Sequence, residues 1–344
     1  MTTSHSARDI TVIGGSAGGL HALRTILAAL PRDYPAAVFV VLHVAPDSPF
    51  MLPDLLDRSS PLPVTAARDA APIRPGRVVI APPDQHLILE PERARLVHGP
   101  RENSHRPSID VLFRSAAVAH GPRVTGVVLT GMLDDGAAGL WAIKRRGGAT
   151  LVQDPASAEF PDMPRNALDA ADAEHSVALE GIAAKLVELA SKPVVASAEP
   201  PPSDMVQEVL MAENRSSIDK LDAIGRRETF TCPECSGSLW EVQGGGGPRF
   251  RCHVGHAYSM RTLAADQATR VEAALWAALR SLKENQRLAI RLAGEARERG
   301  RDRSAQWHAE RAQSDERHSE VLRELLAEAT APSSPDLAGQ QAAD

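Results

Sequence analysis

Short apolar runs alternate with helical patterns from Ile10 to about Leu189, and this alternation constrains the fold more than any other feature of the chain. Unbroken apolar runs between helices are typical of strands in a parallel sheet that helices cover on both faces. The sequence therefore predicts an α/β fold with a doubly wound, mostly parallel sheet and a hairpin addition over Leu87–Val97. The other predicted elements are strands at 10–13, 38–42, 78–80, 124–129 and 150–152, and helices at 109–119 and 139–146.

The first predicted strand runs directly into Gly14-Gly15-Ser16-Ala17-Gly18-Gly19. A sharp turn from strand to helix favours glycine, and here it would expose the Ser16 hydroxyl at the carboxyl end of the strand. The pattern matches G-x-S-x-G, in which the serine is a nucleophile. Phosphate binding is the competing interpretation. However, Ser16 stands where a dinucleotide-binding turn has its second glycine, and no lysine suited to a P-loop occurs before Lys144.

Two further predicted strands end at polar residues. His43 follows the strand at 38–42, and Asp134 and Asp135 follow the strand at 124–129. Reactive groups in open parallel sheets collect at the carboxyl ends of the strands, so a serine, a histidine and an aspartate there predict a hydrolytic triad. The alternatives are a structural histidine and aspartates that only form a turn or cap a helix.

Composition excludes several classes of protein. The chain has 344 residues, 43% of them hydrophobic, and a net charge of -6, which argues against general nucleic-acid binding. No apolar run reaches the roughly 18 residues of a membrane span, and the first residues lack the apolar core of a signal peptide. We therefore expect a cytoplasmic protein with no nucleic-acid partner and no membrane insertion.

The C-terminal part divides into four predicted segments. Residues 191–225 are rich in proline near their start and predict a stiff linker. Residues 226–262 form a cysteine- and glycine-rich module. The apolar spacing in residues 263–330 predicts an antiparallel helical hairpin that turns near Gly300. The composition of residues 331–344 predicts a disordered tail.

All three cysteines lie in the small module, which indicates a metal site rather than a disulfide framework. Cys232 and Cys235 form a closely spaced pair, and Cys252 is followed by two histidines, His253 and His256. Three thiolates and one imidazole predict a structural Zn²⁺ site, because closed sites of this kind stabilise modules with small cores. His256 is the preferred fourth ligand and His253 the alternative.

Several separated blocks resemble the CheB-type protein-glutamate methylesterases of bacterial chemotaxis, over about residues 8–190. The match is specific because the order and the spacing of the blocks both agree. The blocks are Val-Ile-Gly-Gly-Ser-Ala-Gly-Gly (12–19), Leu-His-Val-Ala-Pro (42–46), Ile-Ala-Pro-Pro-Asp-Gln-His (80–86), His-Arg-Pro-Ser-Ile-Asp-Val-Leu-Phe (105–113), Leu-Thr-Gly-Met-Leu-Asp-Asp-Gly-Ala-Ala-Gly (129–139) and Met-Pro-Arg-Asn-Ala (163–167).

The resemblance implies a role for each candidate residue. It makes Ser16 the nucleophile, His43 the general base and Asp135 the carboxylate that orients the histidine. The implied reaction is hydrolysis of glutamate γ-methyl esters on the helices of methyl-accepting chemoreceptors, with release of methanol and no catalytic cofactor. Some members also deamidate glutamine at the same receptor positions, and the sequence is compatible with that second reaction.

The resemblance also places other residues at the cleft. It puts the Met132 amide and the Ala17 position, where the family often has threonine, near the oxyanion, and it puts Arg106 beside the cleft. Arg106 is equally compatible with a structural ion pair. Two alternatives to the methylesterase are a signalling-array adaptor and an esterase that acts on another methylated protein.

Similar cysteine modules accompany some methylesterase domains, so the module and the hairpin are interpreted as a surface for a signalling partner or for dimerisation. A solvated bundle without a partner is the alternative for the hairpin. Chemotaxis methylesterases typically carry an N-terminal receiver domain, whereas only nine residues precede Ile10. We therefore expect activity that does not depend on phosphorylation of this chain.

Overall fold

A computed structural model describes residues 5–195, 199–215, 217–242 and 246–329 of the chain. The strands are β1 His5–Ala7, β2 Ile10–Gly15, β3 Ala37–Leu42, β4 Val64–Ala66, β5 Ala71–Pro72, β6 Val78–Ile80, β7 His86–Leu89, β8 Arg93–Val97, β9 Val124–Val128, β10 Ala149–Gln153, β11 His175–Val177, β12 Pro193–Val195, β13 Gly225–Thr231, β14 Ser238–Val242, β15 Arg249–Cys252 and β16 Ala257–Ser259. The α-helices are α1 Gly19–Ala29, α2 Leu52–Asp57, α3 Ile109–His120, α4 Ala137–Arg145, α5 Asp162–Ala171, α6 Ile182–Ser191, α7 Ser203–Ala212, α8 Ile218–Ile224, α9 Met260–Glu298 and α10 Asp302–Ala329.

A seven-stranded parallel sheet of order β11-β10-β9-β2-β3-β6-β4 contains every strand that was predicted for it. All residues of β2, β3, β9 and β10 are buried, which explains why β3 appears in the sequence as an unbroken apolar run and the other three as mainly apolar segments. The chain passes from β2 to β3 on one side and later returns to β9 on the other. This change of direction opens a crevice at the carboxyl ends of these three strands.

Helices cover both faces of the sheet, so the predicted doubly wound fold is confirmed. Leu23 and Leu27 of α1 and Leu186 of α6 belong to the core on one face. Phe113 of α3 and Leu140 of α4 belong to the core on the other face. The predicted hairpin is also confirmed, since β7 and β8 pair antiparallel, with β5 as a third strand.

Two strands of the central sheet, β4 and β11, were not predicted. Each has three residues, and each combines exposed or half-buried positions with polar side chains. Such short sheet-edge strands lack the apolar run that identified the inner ones.

The linker predicted over 191–225 needs correction, because this segment contains β12, α7 and α8. The prolines at 200–202 immediately precede α7, where a missing amide proton costs the helix little. On α7, Met205 joins the core of the parallel-sheet fold, and Glu208 and Met211 are buried. Helix α7 was not predicted, because the proline-rich segment before this short helix indicated a linker.

The cysteine module is an antiparallel sheet of order β13-β14-β15-β16, which we call the metal sheet after the four candidate metal ligands predicted in this module. It lies in the same structural unit as the parallel sheet, because the chain divides into Met1–Ala264 and Ala265–Asp344. Its small core contains Leu239, Phe250 and Tyr258.

Buried charges connect the metal sheet to the parallel-sheet fold. Glu102 pairs with Arg114 of α3 at 3.0 Å and with Arg251 of β15 at 2.6 Å. Glu208 of α7 pairs with Arg249 at 2.7 Å and with Arg251 at 3.1 Å. Buried guanidinium and carboxylate groups need such partners, so this charge cluster ties three parts of the unit together.

The helices α9 and α10 form the predicted helical hairpin. Gly300 lies between them with φ of 64°, a left-handed conformation that favours glycine. Alanines are buried on both helices, including Ala289 and Ala293 on α9 and Ala305 on α10, which allows close approach. Among the described residues, no helix combines the length and hydropathy that a membrane span requires. The predicted tail at 331–344 lies outside the described residues.

Candidate active site

Ser16 lies at the end of β2, where the chain turns into α1. Gly18 has φ of 73° at the start of this helix, a conformation that a residue with a β-carbon adopts only with strain. The Ser16 amide donates to the Thr130 carbonyl at 3.0 Å, which joins the turn to the loop after β9. The predicted nucleophile is therefore half-buried at the crevice.

His43 follows β3, and Gly15 of β2 pairs in register with Leu42 of β3. Ser16 and His43 therefore directly follow the ends of two adjacent parallel strands, and such strands lie about 4.8 Å apart. The Nε2 atom of His43 lies 2.8 Å from Oδ2 of Asp135. Its Nδ1 atom is buried and makes no hydrogen bond to any residue that the structure describes. One imidazole nitrogen is therefore engaged, and the other remains able to accept a proton.

Asp135 is almost fully buried at the N-terminus of α3. Its Oδ1 accepts from Asn103 Nδ2 at 3.0 Å, Ser108 Oγ at 2.9 Å and the Asp110 amide at 3.2 Å. Its Oδ2 accepts from His43 and from the Ile109 amide at 2.8 Å. Burial alone would raise the pKa of Asp135, but the hydrogen bond and charge of His43 and the other donors hold it below its ordinary value. The carboxylate is therefore ionised and fixed beside the histidine.

Asp134 has a different environment from its neighbour. Its Oδ1 accepts from Ser259 Oγ at 2.7 Å and from Thr262 Oγ1 at 3.1 Å. Burial raises the pKa of Asp134, and these two donors oppose that effect. Of the two consecutive aspartates, the structure therefore brings only Asp135 to His43.

Two main-chain amides at the crevice have no hydrogen-bond acceptor within the described chain. They belong to Ala17, after the candidate nucleophile, and to Met132, after β9. Leu133, the next residue, has φ of 62°, and its carbonyl accepts from Asn166 Nδ2 at 2.7 Å. Two amides of this kind could stabilise an oxyanion.

His105 was not singled out from the sequence. Its ring stacks on that of His43, with centroids 3.5 Å apart and planes 9° apart. Burial and the nearby His43 lower the pKa of His105 to about 4, so it is neutral near pH 7. Ligand-type atoms of His43, His105 and Asp135 lie within 4.8 Å of one another, a spacing that could hold a cation.

Arg106 makes an ion pair beside the crevice. Its Nη2 lies 2.6 Å from Oδ1 of Asp84, and its Nη1 donates to the Gly99 carbonyl at 2.8 Å. The hydrogen bond from Arg106 lowers the pKa of Asp84, whose burial is a smaller, opposing effect. The ion-pair interpretation of Arg106 is thus observed, and a contact with substrate stays a prediction. A cavity of about 410 Å³ opens beside Arg106, His105 and His43.

The four predicted metal ligands converge in the metal sheet. The ligand atoms of Cys232, Cys235, Cys252 and His256 all lie within 4.8 Å of one another. Cys235 and Cys252 have their sulfurs 3.6 Å apart, and Nδ1 of His256 lies 3.4 Å from Cys252 Sγ and 3.7 Å from Cys232 Sγ. Tetrahedral Zn²⁺ with ordinary bond lengths would place two sulfurs about 3.8 Å apart and a sulfur and a nitrogen about 3.5 Å apart. His253 is exposed and lies outside this group.

A doubly wound parallel sheet with a candidate nucleophile, base and carboxylate at adjoining strand ends has the architecture of an α/β hydrolytic enzyme. A family model described as CheB methylesterase matches residues 11–186. The chain belongs to the CheB methylesterase family, which confirms the resemblance inferred from the sequence.

Relatives of known name agree with this assignment. A relative from Leptospira interrogans is 38% identical over 182 residues, which cover 53% of this chain and 94% of that protein. Protein-glutamate methylesterase/protein-glutamine glutaminase 2 of Anaeromyxobacter dehalogenans is 42% identical over 181 residues, 53% of each chain. The crystal structure of the Thermotoga maritima CheB methylesterase catalytic domain superposes with a TM-score of 0.51 and 34% identity, covering 53% of this chain and 98% of that one. The similarity covers the parallel-sheet part alone.

Proposed function

We propose that this chain hydrolyses glutamate γ-methyl esters, with Ser16, His43 and Asp135 as its catalytic triad. The observation that carries the proposal is the 2.8 Å contact between His43 and the buried Asp135 carboxylate, one strand away from Ser16. A relative of this family is named protein-glutamate methylesterase/protein-glutamine glutaminase, which gives the substrate class. Methyl-accepting chemoreceptor helices in the cytoplasm are the proposed partner.

In the proposed mechanism, Ser16 Oγ attacks the ester carbonyl carbon while Nδ1 of His43 takes the hydroxyl proton. The charge of Asp135 stabilises the imidazolium through Nε2. The oxyanion accepts from the amides of Ala17 and Met132, each worth roughly 3 kcal/mol in comparable hydrolases. Collapse of the tetrahedral intermediate passes the proton to the leaving methoxide and releases methanol. Water then hydrolyses the acyl-enzyme by the same steps and regenerates Ser16.

The same sequence of steps can deamidate glutamine, since the leaving group then takes the proton as ammonia. The site needs no cofactor for either reaction in this proposal, because the nucleophile, base and oxyanion donors all come from the chain. Arg106, held by Asp84, would line the substrate cleft.

The second part of the proposal is a structural Zn²⁺ bound by Cys232, Cys235, Cys252 and His256. The sulfur and nitrogen spacings match a tetrahedral ion, and four protein ligands leave no open position for catalysis. The helical hairpin is proposed to bind a signalling partner, because large apolar side chains such as Trp276 and Trp307 are exposed on it.

Methanol release from a methyl-labelled receptor tests the first proposal. We expect the wild type and Ser281→Ala, a matched control on the exposed surface of α9, to release methanol at equal rates. Ser16→Ala should lower the rate by at least 10³-fold because it removes the nucleophile. Release by Ser16→Ala at the wild-type rate would reject the triad. A wild type that binds the receptor but releases no methanol would favour the adaptor instead.

A further inference from the structure

Asn103, in the loop of residues 99–108, contacts both the candidate triad and the metal sheet. Nδ2 of Asn103 donates to Asp135 at 3.0 Å and to Oδ2 of Asp110 at 2.9 Å, and the residue is 5% exposed. Burial raises the pKa of Asp110, and the charge of Asp135 adds to that effect. One amide group thus lies between two buried carboxyl groups and is one of the donors that orient Asp135.

The metal sheet holds Asn103 from the opposite side. The main-chain amide of Ser259 donates to Asn103 Oδ1 at 2.9 Å, and the main-chain amide of Asn103 donates to the Ala257 carbonyl at 2.8 Å. Asn103 has φ of 50°, a left-handed conformation that asparagine tolerates better than most residues. Both ends of the Asn103 amide side chain are therefore committed, one to Asp135 and the other to β16.

The contacts with this loop come from residues next to the proposed metal ligands. Ala257 directly follows His256, and Arg251 directly precedes Cys252. Arg251 pairs at 2.6 Å with Glu102, the residue before Asn103, and both side chains are 1% exposed. An ion bound to Cys252 and His256 would therefore also hold Arg251 and Ala257, two of the residues that contact the loop.

We infer that the metal sheet is a positioning element of the active site, acting through Asn103 on the Asp135 carboxylate. Asn103 is a positioning residue, since it touches the carboxylate and not the reacting atoms. The inference rests on the proposed function for the role of Asp135. It differs from simple stabilisation, because it predicts that bound metal raises the rate of the chemical step through one identified side chain.

The effects of metal removal and of Asn103→Ala should not multiply, because both break the same connection. Loss of one hydrogen bond to a buried charged group predicts a fall in kcat of about tenfold or more for Asn103→Ala, with KM unchanged. Removal of Zn²⁺ by a chelator should lower kcat of the wild type to a similar extent. In Asn103→Ala, the same treatment should change kcat by less than about twofold.

The experiment measures kcat and KM for methanol release by the full chain, with zinc content and thermal unfolding recorded for each sample. Asn285→Ala, on the exposed surface of α9, is the matched control and should behave as the wild type before and after chelation. Added Zn²⁺ should restore kcat of the chelated wild type. Labelling of Ser16 by a fluorophosphonate gives a second rate that does not depend on the natural substrate.

Three outcomes would overturn the inference: a wild type that binds no Zn²⁺, an unchanged kcat in Asn103→Ala, or effects of chelation and Asn103→Ala that multiply. Failure of the proposed function gives a different result. In that case the wild type releases no methanol, but the fluorophosphonate still reacts with Ser16. The labelling rates of metal-bound and metal-free protein are then compared in place of kcat.

Discussion

Glu102→Gln removes the negative charge that joins α3 to the metal sheet. Glu102 accepts from Arg114 at 3.3 and 3.0 Å and from Arg251 at 2.6 Å, and it is 1% exposed. Burial acts to raise the pKa of Glu102, but the charges of Arg114 and Arg251 outweigh it and hold the pKa below the ordinary value. The side chain is therefore ionised. Glutamine at this position would leave the two buried guanidinium groups with less negative charge beside them.

The size of the effect follows from what remains after the substitution. Removing one partner of a buried ion pair typically costs about 3–5 kcal/mol in the free energy of unfolding. Glu208 still lies 3.6 Å from Arg114 and 3.1 Å from Arg251, so we expect the lower end of this range, about 3 kcal/mol. Glu90→Gln is the matched control, because Glu90 pairs with the more exposed Arg93 and Arg95. It should cost less than about 1 kcal/mol.

Urea unfolding followed by circular dichroism near neutral pH measures both variants. Since the denaturant slope of a protein of this size is a few kcal/mol per molar, the midpoint for Glu102→Gln should fall by about 1 M. An equal midpoint for Glu102→Gln and Glu90→Gln would refute the reasoning, because the buried cluster would then contribute no more than a surface pair.

Three further predictions concern catalysis and pH. Asp135→Asn should lower kcat by about 10⁴-fold, because the imidazolium of His43 loses its counter-charge; a loss below tenfold in the methanol assay would contradict this. Met132→Pro removes a proposed oxyanion amide and should lower kcat by about 10²–10³-fold, whereas Met132→Ala keeps the amide and should stay within about tenfold; equal rates for the two variants would count against this role. In the folded state the pKa values of Glu102 and Glu208 lie below the ordinary glutamate value, so these two carboxylates contribute their full stability above that value. The contribution is lost progressively as the pH falls below about 4.3. A melting temperature that stays constant from about pH 7 to pH 3 would exclude that contribution.

The residues at strand ends were accessible to sequence reasoning. His43 follows an unbroken apolar run and Ser16 follows a mainly apolar one, so topology alone predicts that they meet at one edge of the sheet. The choice between Asp134 and Asp135 was not accessible in this way, and it came from the family resemblance. In the structure the two carboxylates differ because one points to His43 and the other to Ser259 and Thr262.

The residues around the candidate triad carry no such pattern. Asn103 and His105 lie in an irregular loop in which Asn103 and Ser104 both have positive φ, and neither helical nor strand periodicity describes it. The only available signal was that His105 opens a block shared with the family. The contact of this loop with β16 joins positions about 150 residues apart, and a single sequence contains no information on such pairs.

The engagement of His43 through Nε2 has a consequence for how the site is built. In the serine-protease triad, Nε2, the ring nitrogen far from the main chain, serves the nucleophile, and Nδ1 faces the aspartate. Here Nε2 faces Asp135, so in the proposed mechanism Nδ1, the nitrogen nearer the main chain, would serve Ser16. Because Ser16 and His43 directly follow paired residues of β2 and β3, the pairing of these strands would fix how closely the two main chains approach during the proposed proton transfer. A nitrogen-15 NMR spectrum of His43 should accordingly report the proton on Nε2 in the resting enzyme.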